Sequence, residues 1–485
     1  MKTTRLEKKQ LTQSVKLYEK VADDITHLIE GGTYRPGVRI PSVRQLSRQF
    51  EISVSTVLQS YYLLEDRGLI EARPQSGYFV RARSRAHLPE PEISAPELDP
   101  TKVSIRELTM MVLHDYHNPN LVQLGTAVPN PDLLPTDKLN RILASLARRK
   151  NIKSNEYDLP PGCEALRVQI ARRAVTANCN LTPNDIVITS GCIEAINLCL
   201  NAVCRYGDTV AIESPIYFGI LQIMEAMGLQ ALEIPTHPRD GISLEALSFA
   251  LEHNPVKACL VISNFNNPLG SCIPGDHKKE LVGLLAKKEI PLIENDISGE
   301  LYFSEERPTV AKAYDRKGLV MLCSSFSKDI APGYRVGWIV PGRFQATVEW
   351  LKFTSSASTA LLPELAIAEY LQSGGYDHLL RHNRRVYAHN VARMSQAVMR
   401  HFPEGTRVTR PSGGFVFWCQ LPENVDSLQL YKSALKAGIT LAPGAIFSAK
   451  HQYRNFIRLN AACWSDEIEH AIARLGKLIA ELAGK

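Results

Sequence analysis

One stretch of the chain has the residue types for covalent chemistry: SSFSKDIAPGYRVGWIV, residues 324–340. Small hydroxyl residues close an apolar run, Lys328 follows, and Arg335 stands seven residues further on. A lysine at a strand end suits a Schiff base, provided that it is accessible and that desolvation or nearby cations release its proton. Ser325 and Arg335 can hold a phosphate. Four other segments carry groups that fit beside them. TSGCIEAINL sets Gly191 and Cys192 at a strand-to-helix turn. Backbone N–H groups and the helix dipole bind phosphate at such a turn. NFNNPLG sets Asn267 just after a strand, where its amide can donate to a phenolic oxygen. IENDISGEL sets Asp296 at another strand end, where a carboxylate can keep a pyridine nitrogen protonated. Asn295 precedes it and leaves the register open; Asp296 is preferred because only it can carry the charge. SPIYFG offers Tyr217 for stacking on a flat ring.

These groups need a scaffold that gathers them. From residue 119 onward, short apolar runs (DIVITS, DTVAIES, KACLVISN, IPLIEND, LVMLCSS, RVGWIV) alternate with helical segments. That alternation predicts an α/β domain with a mostly parallel sheet. Open sheets of this kind bind ligands at the carboxyl ends of their strands, where all the residues above fall. A phosphate cradle, a stacking aromatic, a carboxylate and a lysine together describe a pocket for pyridoxal 5'-phosphate.

The 485 residues are too many for one ordinary domain. Apolar residues at 45% and charged residues at 22% are ordinary for a globular chain and exclude wholesale disorder. No apolar run is long enough to span a bilayer, and the polar start MKTTRLEKKQ has no apolar signal core. The ten cysteines form no CxxC pair and sit mostly in apolar runs, as reduced core residues of a cytoplasmic protein do. The net charge of +6 is unevenly spread. Residues 1–85 hold 15 basic and 9 acidic side chains, and the remaining 400 hold 41 of each. A local basic excess favours a polyanionic partner such as double-stranded DNA.

Residues 1–83 form the basic unit, and 84–118, with Pro89, Pro91, Pro96 and Pro100 and then a short amphipathic stretch, VSIRELTMMVLHD, that is a candidate helix, read as a connector. Leu17, Tyr18, Val21, Ile25, Leu28 and Ile29 have helical spacing, closed by Gly31-Gly32. Ser42 with Gln45 starts a second helix, and Ser53 caps a third with Val57, Tyr61 and Leu64 as its buried stripe. GLIEARPQSGYFVRAR then reads as two strands around a turn, a wing behind a helix-turn-helix. Ser53, Val54, Ser55 and Thr56 at the start of the third helix can reach phosphates and thymine methyls. Arg44, Arg73, Arg81 and Arg83 suit the DNA backbone.

IPSVRQLS, ISVSTV and QSGYFV closely resemble the winged helix of the GntR regulators. The resemblance implies DNA contacts at Arg44, Ser53, Ser55, Thr56 and Gly77. It departs at Val54, where the family often has a cation, so shape or apolar readout is expected there. From about residue 121 to 480 the chain resembles the fold-type I aminotransferases, which implies a smaller C-terminal α+β subdomain after the mostly parallel sheet. That resemblance makes Lys328 the Schiff-base lysine and makes Arg335, Ser325, Gly191 and Cys192 the phosphate site. Tyr217 becomes the stacking aromatic and Asn267 the ligand of the ring oxygen. Tyr157 corresponds to the tyrosine that reaches the second subunit's phosphate, and Arg458 to the arginine that grips an α-carboxylate. Ser298 and Gly299 stand where a tyrosine is common, which lowers the expected efficiency of transamination.

A GntR winged helix joined to an aminotransferase-like domain is similar to the plan of the MocR regulators. The resemblance implies a head-to-tail homodimer that binds DNA and responds to an amino compound or to pyridoxal phosphate itself. The alternative is an active aminotransferase with a regulatory or vestigial winged helix. No metal site is expected.

Overall fold

The computed structural model describes residues 17–30, 33–34, 37–73, 76–80, 88–115, 118–149 and 156–484. They form two compact units that divide between His87 and Leu88.

In the first unit, α1 (Leu17–Glu30), α2 (Val43–Phe50) and α3 (Val54–Asp66) precede β1 (Ile70–Arg73) and β2 (Gly77–Val80), which pair antiparallel. Hydroxyl caps set the helix starts. Ser42 Oγ accepts from the Gln45 N–H at 3.3 Å, and Ser53 Oγ accepts from the Thr56 N–H at 3.1 Å. Between the two helices Glu51 adopts φ 53°, which turns the chain sharply. Val57, Tyr61 and Leu64 of α3 are fully buried against Val21, Ala22, Ile25 and Ile29 of α1 and Leu46 of α2. Leu17 and Leu28, expected on the buried stripe, are exposed. At roughly 100° per residue they fall at the edge of the arc that Val21, Ala22, Ile25 and Ile29 define. The expected Gly31-Gly32 stop, Pro74 and Gln75 of the wing turn, and Arg81 and Arg83 lie outside the described residues.

The second unit is built on a mixed, mostly parallel sheet. Its main strands are β3 (Val187–Thr189), β4 (Thr209–Ser214), β5 (Gln230–His237), β6 (Val256–Val261), β7 (Leu292–Asn295), β8 (Val320–Ser325) and β9 (Gly337–Val340). Their spatial order is β5-β4-β6-β7-β8-β9-β3. The five strands from β5 to β8 run parallel; β9 is antiparallel to both its neighbours. Helices cover both faces, so strand residues on either side are buried and the strands read as continuous apolar runs. All six apolar runs named from the sequence are strands. A smaller antiparallel sheet follows, from β10 (Arg407–Val408), β11 (Val416–Gln420), β12 (Ala442–Pro443) and β13 (Phe456–Asn460), in the order β10-β11-β13-β12.

The expected connector at 84–118 is corrected over part of its length. From Leu88 onward the chain belongs to the second unit. Ser94 Oγ donates to the Ser214 carbonyl at 2.6 Å and accepts from the Thr236 N–H at 2.7 Å. Thr101–Lys102 adds an antiparallel edge to β5, and Val103, Ile105 and Val112, the last on α4 (Arg106–His114), enter the core. Proline does not prevent an extended strap whose hydrogen bonds go to the main chain, and three single apolar residues suffice to anchor it.

None of the ten cysteines is in a disulfide, and eight are buried. Among the described residues no helix is long and apolar enough to cross a membrane.

Candidate functional site

A cavity of about 220 Å³ opens at the carboxyl ends of β6, β7 and β8. Ile262 and Phe265 come from the turn after β6, Asn295 from the last position of β7, and Ser327 and Lys328 from the turn after β8. Tyr217 and Cys192 complete the wall beside Asn267 and Arg335.

Lys328 Nζ donates to the Ala127 carbonyl at 2.6 Å and lies 6.0 Å from the Phe415 ring centroid. Burial first, then the cations Arg458 and Arg335, pull its pKa down to about 8. A far larger share of the amine is therefore uncharged near neutral pH than for an ordinary lysine.

Arg335 lies across the start of α5 (Cys192–Val203). Its guanidinium donates to the Ser190 carbonyl and to Ser327 Oγ, both at 3.3 Å. Gly191 caps that helix with φ 85°, and a Cβ there would run into the Arg335 guanidinium. The backbone angle thus requires glycine, and a Cβ would push the guanidinium aside. The result is a helix N-terminus with an arginine laid over it, a site for a doubly charged anion.

Asn267 Oδ1 accepts from Arg458 Nη1 at 3.0 Å, which leaves its amide N–H₂ as the donor. Arg458 is fully buried behind Asn267 and also donates to the Gly125 carbonyl at 2.5 Å. Its Nε has no partner, and burial pulls its pKa down to about 10.

Two sequence expectations change here. Ser325 does not line this cavity. It is buried, with Oγ accepting from the Ser327 N–H at 3.3 Å, and Ser327 takes the place on the wall. Asp296 also faces elsewhere. It lines a separate cavity of about 50 Å³, where it pairs with Arg307 at 2.5 Å, and Asn295 is the residue that faces Lys328's cavity. Neighbouring positions on an extended chain point to opposite sides, so only one of the two can face it. Tyr157 is 80% exposed and is not among the residues of the cavity. Phe265, Phe415 and the Ala127 carbonyl were not singled out from the sequence. Phe265 lies within NFNNPLG but is an apolar ring beside the amides that mark that segment, Phe415 lies in a loop with no chemical motif, and a main-chain carbonyl has no sequence mark.

In the first unit, the start of α3 is presented outward. Val54 is 46% exposed, Ser53 and Ser55 are exposed, and Thr56 is half-buried. Ser53 Oγ lies 2.8 Å from Ser55 Oγ and 2.7 Å from Thr56 Oγ1, so the three hydroxyls form one cluster. Arg44 is exposed on α2. Gly77 opens β2 against the Arg39 guanidinium. Arg73 pairs with Glu71 at 2.8 Å and lies over the Phe79 ring at 4.4 Å.

The description "Aminotransferase class I and II" matches residues 127–475, and "Bacterial regulatory proteins, gntR family" matches residues 17–80. The HTH-type transcriptional regulator YdcR of Escherichia coli is 39% identical over 96% of this chain and 100% of its own length. The 2-aminoadipate transaminase of Thermus thermophilus is 29% identical over 78% of this chain and 93% of its own. The crystal structure of the α-aminoadipate aminotransferase LysN from Thermus thermophilus, complexed with N-(5'-phosphopyridoxyl)-L-leucine, superposes with a TM-score of 0.72 at 27% identity. It covers 78% of this chain and 95% of that one.

Proposed function

This chain belongs to the aminotransferase class I and II family and carries a gntR-family unit ahead of that domain, and from this membership we propose that it is a DNA-binding transcription regulator. Its second unit holds pyridoxal 5'-phosphate and responds to an amino compound or to the cofactor itself. The observation that carries the reading is Lys328, a buried amine of lowered pKa inside a 220 Å³ cavity, on the same chain as an outward-facing α3.

The residues fit the cofactor. In the cradle a Cβ at Gly191 would displace the Arg335 guanidinium, and Arg458 keeps a buried, unpaired Nε behind Asn267. When bound, pyridoxal phosphate supplies an aldehyde that condenses with amines and a ring that accepts electrons. Arg335 and the N–H groups of α5 would hold its phosphate, Tyr217 would flank its ring, and the Asn267 amide would donate to its phenolic oxygen. Lys328 would bind it covalently and carry a proton at Nζ. Arg458 orients Asn267, and its unpartnered Nε is what it has left to offer a ligand carboxylate. Tyr157, exposed and away from the cavity of its own chain, is the residue this reading assigns to the second subunit of a head-to-tail dimer. Arg44, Ser53, Ser55, Thr56 and Gly77 form the DNA face. Ligand binding regulates DNA only if it favours one of two conformations, which requires different affinities for the two.

The presence of Lys328 on the cavity wall and of Arg458 behind Asn267 supports one other reading, a turning-over aminotransferase with a regulatory winged helix. One experiment separates them. The full chain is titrated with pyridoxal phosphate, and its DNA affinity and amino-donor turnover are measured with and without the cofactor. A visible absorbance band, a changed DNA affinity and negligible turnover are expected. Unchanged DNA affinity with sustained turnover favours the enzyme, and no cofactor binding removes both.

A further inference from the structure

We infer that Asn295, not Asp296, is the group that this chain presents to the ring nitrogen of its cofactor, as a neutral hydrogen-bond donor. This rests on the proposed cofactor site and deepens it, because it says which ionic form of the ring the site accepts.

Asp296 is committed on the other side of the sheet end. Its Oδ2 accepts from Arg307 Nη2, and its Oδ1 accepts from Asn264 Nδ2 at 2.6 Å. Asn264 Oδ1 in turn accepts from Lys278 Nζ at 2.6 Å, and Lys278 is fully buried. Turning Asp296 into the cavity would leave Arg307 short of a partner in a buried site. Gly299 favours the present arrangement, because a Cβ there would overlap the Asp296 carboxylate.

Asn295 faces the cavity with its orientation fixed. Its Oδ1 accepts from the Ile297 N–H at 3.1 Å and from the Cys192 thiol at 3.4 Å. A backbone N–H can only meet the oxygen end of an amide, so the two ends of Asn295 are distinguishable. What Asn295 has left to offer the cavity is N–H₂, which donates and cannot accept. An unprotonated pyridine nitrogen has a lone pair to receive that bond. A protonated one has a proton and needs an acceptor instead. The rest of the wall agrees. The ionisable groups that line the cavity are Lys328, Arg335, Tyr217 and Cys192, and among the described residues no carboxylate lines it.

The consequence is chemical. Condensation of the cofactor with an amine does not require a charged ring. Loss of a proton from the amine's α-carbon leaves an electron pair that the ring must take up, and a neutral ring takes it up poorly. The site therefore suits recognition of an amino compound more than its turnover.

The test is to load the full chain with pyridoxal phosphate labelled with ¹⁵N in the ring, and to record the ring ¹⁵N resonance near neutral pH. We expect the native chain to give the unprotonated shift and Asn295→Asp to move it to the protonated shift. A protonated shift in the native chain overturns the inference while leaving the cofactor site intact. An unprotonated shift in a folded, cofactor-loaded Asn295→Asp chain overturns the assignment to position 295. If Asn295→Asp fails to fold, the native spectrum alone decides. If the native chain takes up no cofactor, the proposed function falls, and this inference with it.

Discussion

Lys328 and Ala127 lie 201 residues apart in the chain, and the lysine amine donates a 2.6 Å hydrogen bond to the alanine carbonyl. That bond fixes Nζ against the cavity wall while burial and two arginines make its charge unfavourable. The folded pKa of about 8 lies below the ordinary 10.5, so between these values the unfolded chain binds more protons. The penalty is therefore full below about pH 8 and fades as pH rises toward 10.5. Lys328→Met should gain stability relative to the native cofactor-free chain near pH 7. That advantage should shrink by about 2 kcal/mol between pH 7 and pH 9.5. Urea denaturation at the two pH values measures it, and a constant difference would refute the placement of the amine. The same variant should lose the visible absorbance of bound cofactor.

Gly191→Ala tests the phosphate cradle. The new Cβ meets the Arg335 guanidinium at a residue whose φ of 85° suits only glycine. Displacing that guanidinium should weaken pyridoxal phosphate about tenfold or more, since a loss of roughly 1.4 kcal/mol is a factor of ten. Equilibrium dialysis of the two proteins gives the ratio. Equal affinities would mean that Arg335 does not reach the phosphate.

Arg307→Met removes the cation that Asp296 and Glu300 share. Two buried carboxylates then lack their main partner, which should cost about 3–5 kcal/mol near neutral pH. Burial pushes the Glu300 carboxyl up, but Arg307 and Arg173 hold it below its ordinary value. Its contribution is therefore present above the ordinary carboxylate range and is lost as pH falls. The variant's deficit in urea midpoint should hold between pH 7 and about pH 5 and shrink as pH falls below the ordinary carboxylate value of 4.5. A deficit that grows toward acid would contradict the ion pairing.

Ser53→Ala removes the cap of α3. The Thr56 N–H loses its acceptor, and the first unit should lose about 1 kcal/mol of stability. Thermal unfolding of the full chain, followed through tyrosines of the first unit, reads it. Ser53→Asp should restore stability, because it caps equally well. It should not restore DNA affinity, because it adds a negative charge beside phosphates. Recovery of both would remove the α3 start from the DNA face.

Arg44→Ala should weaken DNA binding about equally for different sequences and lower the salt slope by about one. Binding measured over a range of salt concentrations on two unrelated duplexes checks this. Loss confined to one sequence would make Arg44 a base reader instead.

The strands were legible because helices cover both sheet faces and leave apolar runs such as Leu322 and Cys323 in β8. The stripe of Val57, Tyr61 and Leu64 was legible because α3 has one buried side. Strand ends were harder to read. Asn295 and Asp296 are both buried and both polar, so no alternation of polarity marks which one faces Lys328. Ser325 and Ser327 pose the same problem two residues apart. Their facing depends on where β8 stops pairing with β9, a tertiary fact. In the strap from Leu88 to Asp115 the helix was legible as the amphipathic stretch VSIRELTMMVLHD, but the docking of the proline-rich part was not, because its anchors, Ser94 and Val103, are single residues among polar ones.

A wall that contains Lys328 and Arg335 but no acid has a practical side. Before any cofactor arrives, such a cavity is a small anion exchanger. Phosphate or sulfate in a buffer would compete for the Arg335 cradle and make the protein look like a weaker binder than it is. Affinities for pyridoxal phosphate measured in a zwitterionic buffer should exceed those in phosphate at equal ionic strength, and the ratio should collapse in Gly191→Ala.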